Sequence, residues 1–240
     1  MKLLSIVIPA YNEERFLGTL LDQIQKVDLT PLGVAKQIVV VDDCSRDRTV
    51  EVARSIPGVL VERHQTNGGK GRAVRTGIEK ATGDLLIIQD ADLEYDPQDY
   101  IPMLQALLAG YGDIVYGSRY LGRGVLAGKH AQQSWPAYLG GRSLSLVALA
   151  CTGHYLTDTV TALKLFPREL LMSLNLQRTG FELDHEITAK VLARGCRIYE
   201  VPIQYVPRSR EEGKKIGLQD WFTAVRTFWK YRGERRRGER

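Results

Sequence analysis

The chain is poor in cysteine, and no two of its cysteines lie close together. Cys44, Cys151 and Cys196 are the three in 240 residues. An odd number at wide spacing builds neither a disulfide framework nor a CxxC or Cys/His metal cluster, so reduced thiols in a reducing compartment are expected. No apolar run of about 18 residues is present, and no transmembrane helix is expected. Met1-Lys2 leads straight into Leu3–Ile8, which stops at Pro9. That stretch is too short for a secretory signal, so the expected location is cytoplasmic. Internal repeats and low-complexity linkers are missing too. Neither common phosphate-loop pattern fits Asn67-Gly68-Gly69-Lys70-Gly71-Arg72. His64 stands where the first glycine of a P-loop belongs, no Ser or Thr follows Lys70, and Val74 occupies the third glycine position of GxGxxG.

What is present is ordinary for a soluble folded chain. With 44% hydrophobic and 25% charged residues, the chain can bury a full core, which excludes general disorder. Its length suits one large α/β domain with a modest extension. The net charge of +5 is uneven: residues 206–240 hold 11 basic and 5 acidic side chains, against 22 and 23 in the preceding 205. The basic excess, ending in Arg235-Arg236-Arg237, points to an anionic partner for this end or to a solvated tail.

Periodicity predicts alternating strands and helices. Leu3–Ile8, Ile38–Val41, Val59–Val61, Leu85–Ile88 and Ile114–Tyr116 read as strands. Glu13–Val27, a segment from Asp47 to Ile56, one around Ala73–Ala81 and one around Tyr100–Leu108 read as helices. Buried parallel strands are continuously apolar, as Ile38–Val41 is, so the pattern predicts a doubly wound, mostly parallel sheet. Further on, Phe181–Ala193 reads as a helix, Arg197–Ile203 as a strand, and Trp221–Trp229 as a helix with one apolar face beside Arg226 and Lys230. Trp135–Cys151 is mostly apolar and fits either a core helix or one lying in a membrane interface.

In such sheets ligands bind beyond the carboxyl ends of the strands. There the chain places Pro9-Ala10-Tyr11-Asn12-Glu13, Asp42-Asp43-Cys44-Ser45 and Asp90-Ala91-Asp92-Leu93-Glu94. Carboxylates this close repel one another unless a cation or hydrogen-bond donors sit among them. Hard divalent ions take oxygen ligands and leave positions open for phosphate oxygens. Asp92 is the best candidate ligand, with Glu94 within reach. The plainer alternative, helix capping, is adopted for Asp47 and Asp99. The Asn67–Arg72 segment opens a helix, and its glycines permit close backbone approach to an anion.

Together these segments resemble the family-2 glycosyltransferases of the GT-A fold, most nearly the dolichol-phosphate mannosyltransferases and bacterial polyprenyl-phosphate glycosyltransferases. The same order continues through Gly117-Ser118-Arg119, Asp158, Lys164-Leu165-Phe166, Phe181-Glu182-Leu183-Asp184 and Glu200-Val201-Pro202-Ile203 to Arg208. The resemblance covers about residues 3–217. It implies a GT-A nucleotide-diphospho-sugar transferase domain over 1–217, a Rossmann-like, mostly parallel sheet flanked by helices. A basic amphipathic C-terminal helix and tail follow over 218–240.

The resemblance also implies roles. Pro9, Ala10, Tyr11, Glu13 and Asp42 would hold the base and ribose of a nucleotide diphosphate-sugar, with Lys70, Asp90 and Ala91 on the nucleotide. Asp92 with Glu94 would hold Mg²⁺ or Mn²⁺ on the diphosphate. Arg119, Arg208 and Lys215, and Arg142 less directly, would meet phosphates, a geometry that arginine suits. The acceptor would be a polyprenyl phosphate, which brings the protein to the cytoplasmic face of a membrane as a peripheral partner. The sequence departs from the family where Cys44 and Arg48 replace glycine, where Thr161-Ala162-Leu163-Lys164 replaces a Ser-Gly-Phe-Arg type segment, and where Glu212-Gly213-Lys214-Lys215 replaces Gly-Glu-Ser-Lys.

Three rival readings compete with this one. A soluble or glycan hydroxyl acceptor would need a base, for which Asp158, Asp184 and Glu186 are candidates. A non-catalytic nucleotide-sugar-binding module would have no need of this full set. Nucleic-acid binding has only charge behind it and no recognisable motif, so no nucleic-acid partner is expected.

Overall fold

The computed structural model describes residues 1–121, 135–207 and 218–231. Among them, seven strands form one sheet in the order β3-β2-β1-β4-β6-β5-β7. The strands are β1 (Lys2–Ala10), β2 (Val34–Asp42), β3 (Val59–Arg63), β4 (Leu85–Ile88), β5 (Ile114–Ser118), β6 (Lys164–Pro167) and β7 (Ile198–Pro202). All pairings are parallel except those of β6, which runs antiparallel to both β4 and β5. The helices are α1 (Leu17–Lys26), α2 (Thr49–Ser55), α3 (Lys70–Lys80), α4 (Tyr100–Leu108), α5 (Trp135–Thr152), α6 (Arg168–Ser173), α7 (Leu183–Ala193) and α8 (Leu218–Tyr231).

Successive strand residues point to opposite faces, and the two cores divide accordingly. Ile6, Ile8, Leu85 and Ile87 pack with Leu17, Leu20, Leu21 and Ile24 of α1 and with Met103 and Leu104 of α4. Val7, Leu86, Ile88, Tyr116 and Phe166 pack on the other side with Val74 and Ile78 of α3 and with Ile187 and Val191 of α7. A sheet buried on both faces explains why its central strands carry almost no polar residue. Beyond α7 lies a further layer, in which Ala148 of α5 and Phe228 and Tyr231 of α8 meet Ala189 of α7.

Three expectations need correction. The first helix begins at Leu17 rather than Glu13, because Glu13–Phe16 form a turn in which the Glu13 carbonyl accepts from both Phe16 N and Leu17 N. Asp99 does not cap α4 with its side chain. Its carboxylate instead accepts from Gln204 N at 2.8 Å, and burial pushes its pKa up to about 6. Strand β6 was not foreseen at all. It enters between β4 and β5, so β5 does not adjoin β4. Asp47 does work as a helix-start acceptor: its carboxylate takes Thr49 N at 3.0 Å.

Candidate active site

Parallel pairing sets Ala10 beside Asp42 and Val7 beside Ile88, so the three acidic loops leave the sheet side by side. The first two are laced together. Asn12 N donates to Ser45 Oγ at 2.9 Å, and Arg46 N returns a bond to Asn12 Oδ1 at 2.9 Å. Glu13 N donates to Thr49 Oγ1 and Glu14 N to Asp47. These bonds hold Asn12 at φ 56 and Cys44 at φ 66, left-handed conformations that β-carbons resist. Position 44, where the resemblance implies glycine, is thus a left-handed turn position filled here by a cysteine.

The two aspartates after β2 divide the work. Asp43 is a scaffold, its carboxylate accepting from Gly68 N at 3.0 Å, Gly69 N at 2.6 Å and His64 Nδ1 at 2.7 Å. Asp42 is fully buried. One of its oxygens takes Ser45 N at 3.1 Å and faces Arg63 Nε at 3.4 Å. Its other oxygen, Oδ1, is buried with no hydrogen-bond partner.

The glycines of the Asn67–Arg72 segment serve a purpose other than the one expected. A side chain on Gly69 would place its β-carbon 2.5 Å from Thr179 O, and one on Gly71 would stand 2.7 Å from Arg178 O. Close approach is required, but to the backbone of residues 178–180. Arg72 N confirms the seam by donating to Thr179 O at 3.1 Å. Lys70 follows directly and points inward.

Lys70 Nζ lies 2.7 Å from Asp90 Oδ1 and 3.3 Å from Asp184 Oδ2. Asp184 Oδ1 in turn meets Lys164 Nζ at 2.8 Å, and Lys164 is wholly buried. The antiparallel β6 makes this possible, since it places its first residue, Lys164, between Ile88 and Tyr116. The result is an alternating row, Asp90, Lys70, Asp184, Lys164. Burial alone would raise the Asp184 carboxyl, but the two lysine charges bring it down to about 2. Burial would lower Lys70, yet Asp184 and Asp90 outweigh it and hold the ammonium above its ordinary range. Lys164 is drawn below its ordinary range by burial. The next residue, His185, is buried, has no partner for Nδ1, and is lowered to about 4 by that burial.

Asp92 and Glu94 occupy the turn after β4, half-buried, with Leu93 between them at φ 60. Asp92 Oδ1 accepts from Glu94 N at 3.2 Å, and Glu94 Oε2 accepts from Tyr205 OH at 2.8 Å. Among the described residues, no group of three or more His, Cys, Asp or Glu gathers around one point.

On the far side of Tyr205 the β5 and β7 ends form a second cluster. Arg119 makes a two-pronged pair with Asp158, Nε to Oδ2 at 2.6 Å and Nη2 to Oδ1 at 2.8 Å. Its guanidinium carbon also stands 5.0 Å from the centre of the Tyr205 ring. Glu200 accepts from Thr157 N and Asp158 N, fixing the loop that carries Asp158. Arg142 donates to Thr157 O at 2.9 Å and to Tyr155 OH at 2.8 Å. Glu186, further along α7, pairs with Lys190 at 2.8 Å and accepts from Tyr231 OH at 2.9 Å. Arg208 and Lys215 lie outside the described residues.

The structure thus brings Pro9, Ala10, Asp42, Lys70, Asp90, Ala91, Asp92 and Glu94 to one end of the sheet, with Tyr11 and Glu13 on the loop that follows β1. Sequence reasoning overlooked Tyr205 and the Lys164–Asp184 pair. A lysine opening an otherwise apolar strand was the available signal for the latter.

Comparison with known proteins agrees with this architecture. Residues 5–172 match the family described as Glycosyl transferase family 2. Dolichol-phosphate mannosyltransferase of Pyrococcus furiosus is 30% identical over 240 residues, covering 96% of this chain, and the chain spans 64% of that relative's length. UDP-N-acetylglucosamine–dolichyl-phosphate N-acetylglucosaminyltransferase of Methanococcus voltae is 25% identical over 90% of this chain and 91% of its own length. Among solved structures, glucosyl-3-phosphoglycerate synthase from Mycobacterium tuberculosis, crystallised with Mn²⁺, UDP and phosphoglyceric acid, superposes with a TM-score of 0.71 at 21% identity, covering 97% of this chain and 79% of that one. With a family match over most of its length and this arrangement of sheet and loops, the chain belongs to glycosyl transferase family 2 and has the GT-A fold.

Proposed function

We propose that the protein moves a hexose from a nucleotide diphosphate-sugar to a polyprenyl phosphate, with inversion, at the cytoplasmic face of a membrane. The observation that carries this reading is the state of the carboxylates weighed as bases. Asp158 is locked to Arg119, Asp184 lies between Lys70 and Lys164, and Glu186 is held by Lys190 and Tyr231. Burial would raise each of the three, but ion pairs and donated hydrogen bonds hold each below its ordinary range. A carboxylate so stabilised is a weak proton acceptor. A hydroxyl acceptor needs such a base, whereas a phosphate monoester arrives already ionised and needs orientation. The names of the two archaeal relatives, both dolichyl-phosphate sugar transferases, support the same acceptor class.

The donor side fits a nucleotide. The buried, unpartnered Asp42 Oδ1 suits an N–H or O–H of a bound base or ribose, since a buried acceptor left unmatched is costly. Pro9, Ala10, Tyr11 and Glu13 supply the neighbouring walls. Lys70 pairs with Asp90 at 2.7 Å, and Asp92, with Glu94 two residues on, is assigned as the anionic ligand facing the diphosphate. A pair of carboxylates suits Mg²⁺ or Mn²⁺, which would complete its shell with phosphate oxygens and water. When bound there, the ion offsets charge on the departing nucleoside diphosphate. Arg208 and Lys215 are assigned to the acceptor phosphate. Arg119 adds a fixed charge on the site wall, its fork held by Asp158.

The test has two stages. Thermal unfolding is followed with UDP- and GDP-sugars, each with and without Mn²⁺, and one nucleotide should raise Tm only with metal. Radiolabelled transfer is then compared between a short-chain polyprenyl phosphate and the corresponding free alcohol or a glycoside. Transfer to the phosphate alone is the expected result. Turnover on a hydroxyl acceptor, lost in Asp158→Asn or Asp184→Asn variants that remain folded, would overturn the reading.

A further inference from the structure

We infer that Tyr205 is a positioning residue for the transfer, whose hydroxyl orients the metal-side carboxylate of Glu94 while its ring flanks the acceptor-side Arg119. Beyond β7 the chain runs through Ile203-Gln204-Tyr205-Val206. Ile203 N donates to Ser118 O at 3.1 Å, Gln204 N to Asp99 at 2.8 Å and Val206 N to the Glu94 carbonyl at 2.9 Å. The segment therefore ties the end of β5, where Arg119 follows Ser118, to the turn after β4 that carries Asp92 and Glu94. Tyr205 is buried within this seam. It bridges to Tyr95 in antiparallel register, with ring centres 5.4 Å apart. Phenylalanine would meet that packing equally well. The phenol adds a hydrogen bond to Glu94 Oε2 at 2.8 Å.

The inference rests on the proposed reading, in which Glu94 joins Asp92 on the divalent ion and Arg119 adds charge beside the acceptor phosphate. Carboxylates that ligate a metal are held in place by hydrogen-bond donors, and losing one such donor costs about ten- to a hundredfold in metal affinity. Glu94 needs a donor of this kind. It sits in a turn, one residue after Leu93 at φ 60, rather than on a regular element. Neighbouring residues supply both restraints: Val206 N fixes its backbone and Tyr205 OH its carboxylate. A bond from a hydroxyl to an ionised acceptor is among the strong ones. The ring has a separate task. The Arg119 guanidinium carbon stands 5.0 Å from its centre, a distance at which a cation is attracted to the π face. Asp158 holds the fork of the same guanidinium. Hydroxyl and ring thus serve groups of opposite charge, one on the donor side and one on the acceptor side. A substitution can remove one service without the other.

Free Mn²⁺ is followed by electron paramagnetic resonance as the whole chain is titrated in with saturating UDP and, in a parallel series, GDP. Tyr205→Phe keeps the ring and removes the hydroxyl. It should weaken Mn²⁺ binding by about tenfold or more, while Tm without metal or nucleotide falls by no more than about 3 °C. In a Glu94→Gln background the same change should alter Mn²⁺ affinity by less than about twofold, because the hydroxyl acts through that carboxylate. Tyr205→Leu removes the ring as well. It should raise the KM for a short-chain polyprenyl phosphate, at saturating Mn²⁺, about threefold above that of Tyr205→Phe. Wild-type Mn²⁺ affinity in Tyr205→Phe, or an undiminished effect in the Glu94→Gln background, overturns the inference. So does a Tm that drops in step with metal affinity, which would make Tyr205 a packing residue. Wild-type protein that binds Mn²⁺ with neither nucleotide overturns the proposed function and this inference together, whereas wild-type binding that Tyr205→Phe leaves intact overturns the inference alone.

Discussion

Replacing Asp184 by asparagine should reveal whether the row of alternating charges is scaffold or catalyst. Asp184 bridges Lys70 and the wholly buried Lys164, at 3.3 and 2.8 Å. Asparagine preserves shape but strands the Lys164 ammonium in a low-dielectric interior, while Lys70 keeps Asp90. Breaking a buried pair in this way costs about 3–5 kcal/mol. With a urea m-value of about 3 kcal/mol/M, the midpoint should fall by about 1 M. Adding Lys164→Met removes the stranded charge along with its partner, and the double variant should regain most of the loss. The cycle should give a coupling of about 2 kcal/mol or more. Far-UV circular dichroism in urea reads all four proteins. Acid unfolding gives a second check. With a folded pKa of about 2 against an ordinary 3.8, the Asp184 contribution is fully present above about pH 4 and is lost as pH falls through 2. A cost below about 1 kcal/mol for Asp184→Asn, or simple additivity in the double variant, would refute the assignment. If stability is kept while turnover disappears, the carboxylate is a catalyst instead.

Other outcomes follow from the same geometry. Cys44→Gly should stabilise by up to about 1 kcal/mol, because it relieves a left-handed β-carbon while loosening the unfolded chain slightly; thermal denaturation reads it. Gly69→Ala should cost about 3 kcal/mol, since it combines φ 91 with a β-carbon 2.5 Å from Thr179 O. Asp99 and His185 should pull stability in opposite directions over the same pH range. The Asp99 carboxyl, raised to about 6, favours the folded state when protonated, so its contribution falls as pH rises from about 4 to 6. The His185 imidazole, lowered to about 4, is buried neutral, so its contribution falls as pH drops from about 6.5 to 4. Asp99→Asn should therefore steepen the rise of stability with pH in this window, and His185→Phe should flatten it. Parallel pH profiles for the two variants would contradict both shifts.

The half of the sheet built from β1, β2 and β4 was legible because parallel strands buried on both faces leave continuous apolar runs, such as Ile38–Val41 and Leu85–Ile88. The acidic clusters just beyond them located the candidate donor site by the strand-end rule alone. In the other half, β5 and β7 were legible from Ile114–Tyr116 and Arg197–Ile203, but β6 was hidden for physical reasons. Strand β6 has four residues and begins with a lysine, so it has no strand signature. Its place comes from pairing with β4 and β5, and Lys164 is tolerable there only because Asp184 arrives from α7, 20 residues on. Asp99 resembled a cap because its true partner, Gln204 N, is remote in sequence. Gly69 and Gly71 announced a close approach without saying to what, and their neighbour is the chain itself. Asp42 and Asp43 look alike in sequence, yet three donors claim one while the other keeps an unclaimed oxygen.

The late arrival of β6 bears on how the protein is made. On the ribosome, β1 to β4 emerge first and can assemble as a parallel unit, but the apolar Leu85–Ile88 edge must wait for Lys164–Pro167. At ~5–20 residues per second that wait is on the order of ten seconds, with a row of unpaired backbone groups open to any other extended segment. Strand β5 waits longer still for β7. The nascent chain thus passes through an interval in which its β1–β4 unit is formed and the open β4 edge is adhesive, and chaperone demand during synthesis should be concentrated there.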